Sequence, residues 1–266
     1  MTLAWVADAV GATRRADRSD AVVGDVVTDS RTLKPGDLFV ALRGPRFDGH
    51  AFVADVLNRG AVAAIVESGR VQDDGRTIEV TDTLEALQRL AQAVRAAVAT
   101  RVIAITGSAG KTTTKEAIAA LLATRYAVVK NKGNLNNHIG LPLSLMQLRS
   151  APDMAVMELG MNHAGEISRL VYIASPDVRV WTNVGDAHLG FFASADAIAD
   201  AKAEIMEGAG ADTVLVCNAD DHRVMIRARG FAGKVLTFGE AQGATVRARS
   251  VRDRGIAGMS ADVETP

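Results

Sequence analysis

Apolar positions along the chain follow two spacings, one typical of amphipathic helices and one typical of buried strands. In the N-terminal part, helices are expected at residues 3–10, 50–60 and 83–98, and short strands at residues 63–66 and 77–80. Because strands and helices alternate here, we predict a small α/β domain over residues 1–98.

The rest of the chain continues this alternation. Strands are expected at residues 102–105, 155–159, 178–184, 213–217 and 234–238, and helices at residues 167–174 and 195–206. Runs without polar alternation are typical of strands buried on both faces. We therefore predict an α/β fold with a mostly parallel, P-loop ATPase-type sheet flanked by helices in a second domain over residues 99–266. A late strand pair at residues 245–251 and 256–263 has no closing element after it, so we expect this domain to be incomplete.

The segment RVIAITGSAGKTTTK combines a buried strand, a glycine-containing turn and the start of an amphipathic helix, whose expected inner face includes Ile118, Leu121 and Leu122. Such a junction directs backbone N–H groups at an anion, helped by the helix dipole. Gly107 and Gly110 let a phosphate approach the main chain closely. Lys111 can reach the terminal phosphates of a nucleotide, and the Thr112 hydroxyl can bind Mg²⁺. The loop is shorter than the usual P-loop, which has another glycine in place of Ile105, and an ordinary turn that caps a helix is the alternative.

Two further residues lie at the carboxyl ends of predicted strands, where open α/β sheets bind their ligands. Glu158 ends the strand in MAVMELG, a position at which P-loop enzymes carry an acidic metal ligand. The alternative for Glu158 is a strand-end carboxylate that faces water. His188 follows the next strand, in NVGDAHLG, and both a metal or phosphate role and a structural role are open for it.

Lys202 stands out because helical spacing in AIADAKAEIMEG puts its stem on the apolar face of the helix. A lysine there either extends its ammonium to solvent or has a buried partner. The second interpretation makes Lys202 a site lysine near a bound metal.

Two polar loops add candidates for substrate contacts. GNLNNHIG offers Asn134, Asn136 and Asn137 without any hydrophobic role, although turns are rich in asparagine in any case. GMNHAGEI follows Glu158 directly and starts a helix, so we expect Asn162 and His163 to face the same cleft.

Composition limits the classes of function. With 266 residues and a net charge of −1, the chain lacks the basic excess that nucleic-acid binding requires. No apolar run approaches the roughly 18 residues of a membrane span, and the N-terminus lacks the order of a signal peptide. The single cysteine, Cys217, is expected in the core and excludes an intrachain disulfide. A reducing, cytoplasmic location is the prediction.

Six segments together resemble the Mur ligase family, the ATP-dependent amide-forming enzymes of peptidoglycan synthesis. They are DSRTLKPGDLFVALRGPRFDGHAF, ITGSAGKTTTK, KGNLNNHIG, MELGMNHAGEI, NVGDAHLG and IADAKAEI. The NLNN and MNHAGEI segments favour the member that joins D-alanyl-D-alanine to the UDP-linked muramoyl tripeptide over the sister enzyme that adds the third residue.

The resemblance implies that ATP phosphorylates the substrate carboxylate and that the incoming amine attacks the resulting acyl phosphate. It implies that Lys111 holds the β- and γ-phosphates, that Thr112 and Glu158 bind one Mg²⁺, and that His188 binds a second. Lys202 would be carbamylated, which makes it an anion near the metals. The ATP-binding residues implied are Gly107, Ser108, Ala109, Gly110, Lys111, Thr112 and Thr113. The residues implied for the UDP part of the substrate, in an N-terminal substrate domain, are Ser30, Arg31, Phe47, Asp48, Gly49 and His50.

Family members also have a C-terminal domain that closes over the site, and this chain ends before it. We therefore expect the reaction of the full-length protein, which we predict to be a monomer, rather than of residues 1–266 alone. A sister ligase that adds a single amino acid and a non-catalytic P-loop nucleotide-binding fragment are the alternatives. A GTPase is disfavoured because NKGN stands where guanine recognition needs NKxD and because no DxxG follows the loop. Folylpolyglutamate synthetase should lack the DSR and FDGH segments.

Overall fold

The computed structural model describes residues 1–72, 74–185, 190 and 192–266. The chain divides into two compact units. The first contains residues 1–98 and 142–150, and the second contains residues 99–141 and 151–266. The hydrophobic pattern suggests a division between residues 98 and 99, but it does not predict that residues 142–150 join the first unit.

The first unit is built around a small parallel sheet. Its helices and strands are α1 (Leu3–Val10), β1 (Val26–Val27), β2 (Leu38–Val40), β3 (Arg43–Gly44), β4 (Phe47–Asp48), α2 (Val53–Asn58), β5 (Ala63–Glu67), β6 (Thr77–Val80) and α3 (Thr83–Ala96). In the described residues, β1, β2, β5 and β6 form a parallel sheet in that order, and β3 pairs with β4 in antiparallel fashion. The predicted α/β character of this part of the chain is confirmed.

Local signals explain the helix ends of this unit. Asp82 accepts a hydrogen bond from the backbone N–H of Glu85 at 2.7 Å and so caps the start of α3. Helix α3 ends at Ala96, two residues before the predicted end. The helix predicted at residues 50–60 is a 3₁₀ helix, Gly49–Phe52, followed by α2.

The second unit contains the longer elements. They are β7 (Arg101–Thr106), α4 (Lys111–Leu122), β8 (Val128–Lys130), β9 (Met154–Glu158), α6 (Glu166–Ala174), β10 (Val178–Trp181), α7 (Ala195–Ala203), β11 (Val214–Asn218), α8 (His222–Ala228), β12 (Lys234–Gly239), β13 (Val246–Asp253) and β14 (Met259–Glu264). The residues of α5 (Gly140–Leu145) are divided between the two units.

The strands of the second unit form one sheet in the order β8, β9, β7, β10, β11, β12, β13, β14. All neighbouring pairs are parallel except β13 and β14, which are antiparallel as expected of a late strand pair. The predicted mostly parallel sheet is confirmed. Because β7 lies between β9 and β10, the loops that follow these three strands meet at one edge of the sheet.

The core of this unit joins the phosphate-loop strand to helix α4. Ile105, Ala119, Val156 and Val180 form a buried cluster against which Ile118 and Leu122 pack. The prediction that Leu121 shares this inner face is wrong, because its side chain is 73% exposed. Lys115 is buried on the inner face of α4, where its Nζ donates to Asn131 O at 3.0 Å.

Two other predicted elements differ in extent. Strand β10 ends at Trp181 instead of residue 184, because the residues after it bond to the phosphate loop. The helix predicted at residues 195–206 is α7 followed by a 3₁₀ helix, Glu204–Met206. Ser194 caps α7, since its Oγ accepts from Ala197 N at 3.1 Å.

Cys217 is fully buried in β11, which confirms the core position expected of it. Within the described residues, no helix has both the length and the apolar character needed to cross a membrane.

Candidate active site

The loop between β7 and α4 leaves the start of the helix open. Gly107 and Gly110 adopt φ angles of 152° and 78°, in the left-handed region that favours glycine. No side chain caps α4, and its first backbone bond runs from Thr114 N to Gly110 O at 2.9 Å. The N–H groups of the residues before Thr114 therefore have no acceptor within the helix. An uncapped helix start of this kind suits a phosphate.

Residues after β10 hold this loop in shape. The amide of Asn183 bonds both backbone groups of Ala109, accepting from its N–H at 2.8 Å and donating to its carbonyl at 3.2 Å. Thr182 Oγ1 donates to the same carbonyl at 2.8 Å. Gly107 is packed so closely here that an added Cβ would stand 1.9 Å from Thr182 Oγ1.

The sequence reasoning missed Thr182 and Asn183. Their signal was a pair of hydrogen-bonding residues directly after a buried strand, which becomes informative only when that strand is known to lie beside β7.

Lys111, Thr112 and Glu158 come together at the mouth of the loop. Lys111 Nζ donates to Gly107 O at 2.8 Å, and Thr112 Oγ1 donates to Glu158 Oε2 at 2.8 Å. Burial lowers the pKa of Lys111, and the negative charge of Glu158 opposes that change. Glu158 is only 4% exposed, so the alternative of a carboxylate facing water is wrong.

The polar loop after β8 completes the surroundings of Glu158. Asn136 Nδ2 donates to Glu158 Oε1 at 2.8 Å, so both carboxylate oxygens have a donor. Asn137 Oδ1 accepts from the backbone N–H groups of Ile139 and Gly140 and caps the start of α5. Asn134 is exposed.

Lys202 is 1% exposed, so its ammonium does not reach solvent and the snorkelling alternative is wrong. Burial, and after it the positive charge of Lys111, lower the pKa of Lys202 to about 8 from 10.5. The two lysines are thus close enough to repel each other. The lowered pKa increases the fraction of unprotonated Lys202 amine near neutral pH, and that is the form that can react with an electrophile.

Asn162 and His163 lie in the loop that follows Glu158, and both are exposed. The backbone of this loop is held by carboxylates: Glu166 accepts from Asn162 N at 2.7 Å, and Glu204 accepts from Gly165 N at 2.6 Å. Glu204 belongs to the turn after Lys202, so the two candidate segments are connected.

A metal ion at this site would have few protein ligands. Among the described residues, no group of three or more His, Cys, Asp or Glu side chains is arranged to hold one. His188, the predicted second metal ligand, lies outside the described residues. The Thr112–Glu158 pair nonetheless fits Mg²⁺, which is commonly bound by one or two carboxylates together with nucleotide phosphates and water.

The predicted substrate residues of the first unit form two small groups. Ser30 and Arg31 lie in a 3₁₀ turn, where the exposed Arg31 guanidinium pairs with Asp29 at 2.6 Å, and this bond lowers the pKa of Asp29 to about 2. Phe47 is 59% exposed.

The second group is more enclosed. His50 is buried, its Nδ1 lies 2.6 Å from Asp48 Oδ1, and its Nε2 accepts from Glu67 N at 2.9 Å. The bond from His50 lowers the pKa of Asp48. An added Cβ on Gly49 would stand 2.8 Å from Leu42 O. His50 therefore organises this loop through both ring nitrogens.

Two family models match the chain. Residues 105–262 match the Mur ligase middle domain, and residues 23–95 match the model described as Mur ligase family, catalytic domain.

Named relatives and solved structures agree with these models. A UDP-N-acetylmuramoyl-tripeptide--D-alanyl-D-alanine ligase from Bacillus subtilis (strain 168) is 44% identical over 202 residues, which cover 75% of this chain and 44% of the relative. MurF from Acinetobacter baumannii superposes with a TM-score of 0.88 at 34% identity, over 98% of this chain and 60% of that one. MurF from Thermotoga maritima in complex with ADP gives a TM-score of 0.84 at 34% identity, over 92% and 57%. The chain thus spans about half the length of the relatives it matches.

Proposed function

Because the chain belongs to the Mur ligase family, we propose that the protein is the ATP-dependent ligase that joins D-alanyl-D-alanine to a UDP-N-acetylmuramoyl-tripeptide. The name of the Bacillus subtilis relative supports this activity, and the ADP complex of the Thermotoga maritima protein supports the use of an adenine nucleotide. Such enzymes work where ATP is available, so we also propose a cytoplasmic location and retain the prediction of a monomer.

The observation that carries the proposal is the meeting of Lys111, Thr112, Glu158 and Lys202 at the open start of α4. Two of them are linked by the 2.8 Å bond between Thr112 Oγ1 and Glu158 Oε2, and the positive charge of Lys111 lowers the pKa of Lys202. Phosphoryl transfer depends mainly on such positioning and charge neutralisation.

In this proposal the uncapped N–H groups of α4 and Lys111 bind the phosphates of ATP. Thr112 and Glu158 would hold one Mg²⁺ and His188 a second, and the ions supply positive charge that offsets the phosphate oxygens. The γ-phosphate passes to the substrate carboxylate oxygen as its bond to the β-phosphate oxygen breaks. The amine of D-alanyl-D-alanine then attacks the acyl carbon, inorganic phosphate leaves, and the amine gives up a proton.

Lys202 acts in the proposal as a carbamate. Its neutral amine would attack CO₂, forming an N–C bond while one C=O electron pair moves to oxygen and a proton leaves the nitrogen. The product carries a negative charge in place of a buried positive one, which relieves the repulsion with Lys111.

We further propose that the first unit takes the UDP part of the substrate through Ser30, Arg31, Phe47, Asp48, Gly49 and His50. Arg31 suits a diphosphate because its guanidinium is exposed, and Phe47 offers a flat face to a base. His50 and Asp48 would act by shaping the loop. In the second unit, Asn134, Asn136, Asn137, Asn162 and His163 remain the proposed contacts to the rest of the substrate.

The test is release of inorganic phosphate by the full-length protein with UDP-muramoyl tripeptide, comparing D-alanyl-D-alanine with single amino acids. We expect turnover with the dipeptide only. Lys111→Ala should abolish it, whereas Lys234→Ala, an exposed lysine at the start of β12, should not. Equal turnover with a single amino acid would assign the protein to the sister enzymes instead, and phosphate release without either acceptor would contradict ligation.

A further inference from the structure

Asn131, the residue directly after β8, uses both polar atoms of its side chain in hydrogen bonds to the backbone of Glu158 and Leu135. It is 0% exposed. Its Oδ1 accepts from Glu158 N at 3.0 Å, and its Nδ2 donates to Glu158 O at 3.1 Å and to Leu135 O at 2.9 Å. One amide side chain therefore satisfies both backbone groups of Glu158, where the pairing of β8 with β9 has ended.

Lys115 fixes Asn131 from the other side. The lysine lies one turn after Lys111 on α4, and it is 1% exposed. Its Nζ donates to Asn131 O at 3.0 Å and lies 3.4 Å from Glu116 Oε1. The helix that begins at the phosphate loop is thereby joined to the backbone beside Glu158, which explains why a lysine occupies the inner face of α4.

The same loop also reaches the carboxylate itself. The bond from Asn131 to Leu135 O closes the turn that precedes Asn136, and Asn136 Nδ2 donates to Glu158 Oε1 at 2.8 Å. Asn136 O also accepts from Gly160 N at 2.9 Å. Backbone and side chain of Glu158 are thus both held by residues 131–136.

We propose that Asn131, held by Lys115, is a positioning residue that orients Glu158 for Mg²⁺ and the nucleotide. The inference rests on the proposed function. The side chain of Asn131 bonds the backbone of Glu158 and of Leu135, so it would act on the metal through the position of Glu158. Outer residues of this kind set the orientation of a metal ligand, and their loss weakens the metal site more than the protein as a whole.

The test measures the affinity for ADP by calorimetry with Mg²⁺ and with a chelator, in wild type and in Asn131→Ala. The readout is the dissociation constant for ADP in the chelator divided by that with Mg²⁺. This ratio reports how much the metal contributes to ADP binding. We expect Asn131→Ala to reduce this ratio about tenfold, with ADP affinity in the chelator within about twofold of wild type. Lys115→Met should reduce the ratio less, because it acts through Asn131.

Two further variants separate positioning from packing. Asn131→Thr retains one hydroxyl that can donate to Glu158 O, so it should recover part of the ratio. Thr100→Val is the matched control, since it removes a buried bond of 2.6 Å to Pro152 O in the same unit at the other end of β7. It should lower the melting temperature and leave the ratio unchanged.

The outcomes distinguish the two proposals. If wild type shows metal-dependent ADP binding and Asn131→Ala keeps the wild-type ratio, the positioning role is overturned while the proposed function stands. The positioning role is also overturned if Asn131→Ala loses ADP affinity in the chelator as well. It is overturned likewise if Thr100→Val reduces the ratio as much as Asn131→Ala does. If wild-type ADP binding is indifferent to Mg²⁺, both proposals fail.

Discussion

Replacing Lys202 with methionine should stabilise the protein while it removes the proposed carbamate. Methionine keeps a flexible chain of similar length in the apolar surroundings but carries no charge. The unfolded lysine has a pKa of 10.5, whereas burial and Lys111 lower the folded value to about 8. A difference of that size corresponds to about 3 kcal/mol of destabilisation of wild type at neutral pH.

The sign of the pH dependence follows from proton binding. Between about pH 8 and 10.5 the unfolded state holds the Lys202 proton and the folded state does not. The free energy of unfolding of wild type therefore rises with pH across that window because of Lys202, and the destabilisation by Lys202 is fully present below it. Lys202→Met removes the group, so its advantage over wild type should be largest near neutral pH and fade towards pH 10.5.

The assay is urea unfolding of wild type and Lys202→Met at several pH values in CO₂-free buffer, so that the wild-type amine is free. We expect the variant to be more stable by about 1 to 3 kcal/mol near pH 7. Lys115→Met is the control: it removes an equally buried ammonium that donates to Asn131 O, and it should lower stability. The reasoning would be refuted if Lys202→Met were no more stable than wild type at pH 7, or if its gain in stability were constant across the window.

The remaining predictions concern the loop, the carbamate, the substrate and the thiol. Gly107→Ala should weaken ADP binding at least about tenfold, because its Cβ would stand 1.9 Å from Thr182 Oγ1 and its φ is 152°; wild-type affinity by calorimetry would count against the loop geometry. Lys202→Ala should lose ligase activity and regain part of it with added short carboxylic acids, and full activity without them would exclude the carbamate. Arg31→Ala should raise the apparent KM for the UDP substrate more than that for ATP in steady-state kinetics, and equal changes would argue against its role. Cys217, fully buried with a pKa raised by burial to about 11, should resist thiol reagents until the protein unfolds; rapid labelling of folded protein would contradict that.

The spacing of apolar residues predicted much of the fold because single helices, strands and turns depend on residues that are close in sequence. The strand, the glycine turn and the helix of the phosphate loop are adjacent in sequence, so spacing and glycine positions were sufficient to recognise them. Helical spacing also put the stem of Lys202 on the apolar face, but it left open whether the ammonium reaches solvent, and the structure decided for burial. Leu121 shows the limit: helical spacing also gave it an inner position, but its side chain is 73% exposed, whereas Lys115 is buried and its Nζ donates to Asn131 O.

Sequence alone determined which residues are candidates for the site and which strand ends they follow, since both depend on residue type and short-range periodicity. Only the tertiary structure decided what surrounds them. Asn183 bonds Ala109 across a separation of 74 residues, and Asn131 bonds Glu158 across 27. Those partners meet because β7 lies between β9 and β10 and because β8 lies beside β9. Strand order results from how the whole apolar surface is buried, and no single stretch of sequence contains it.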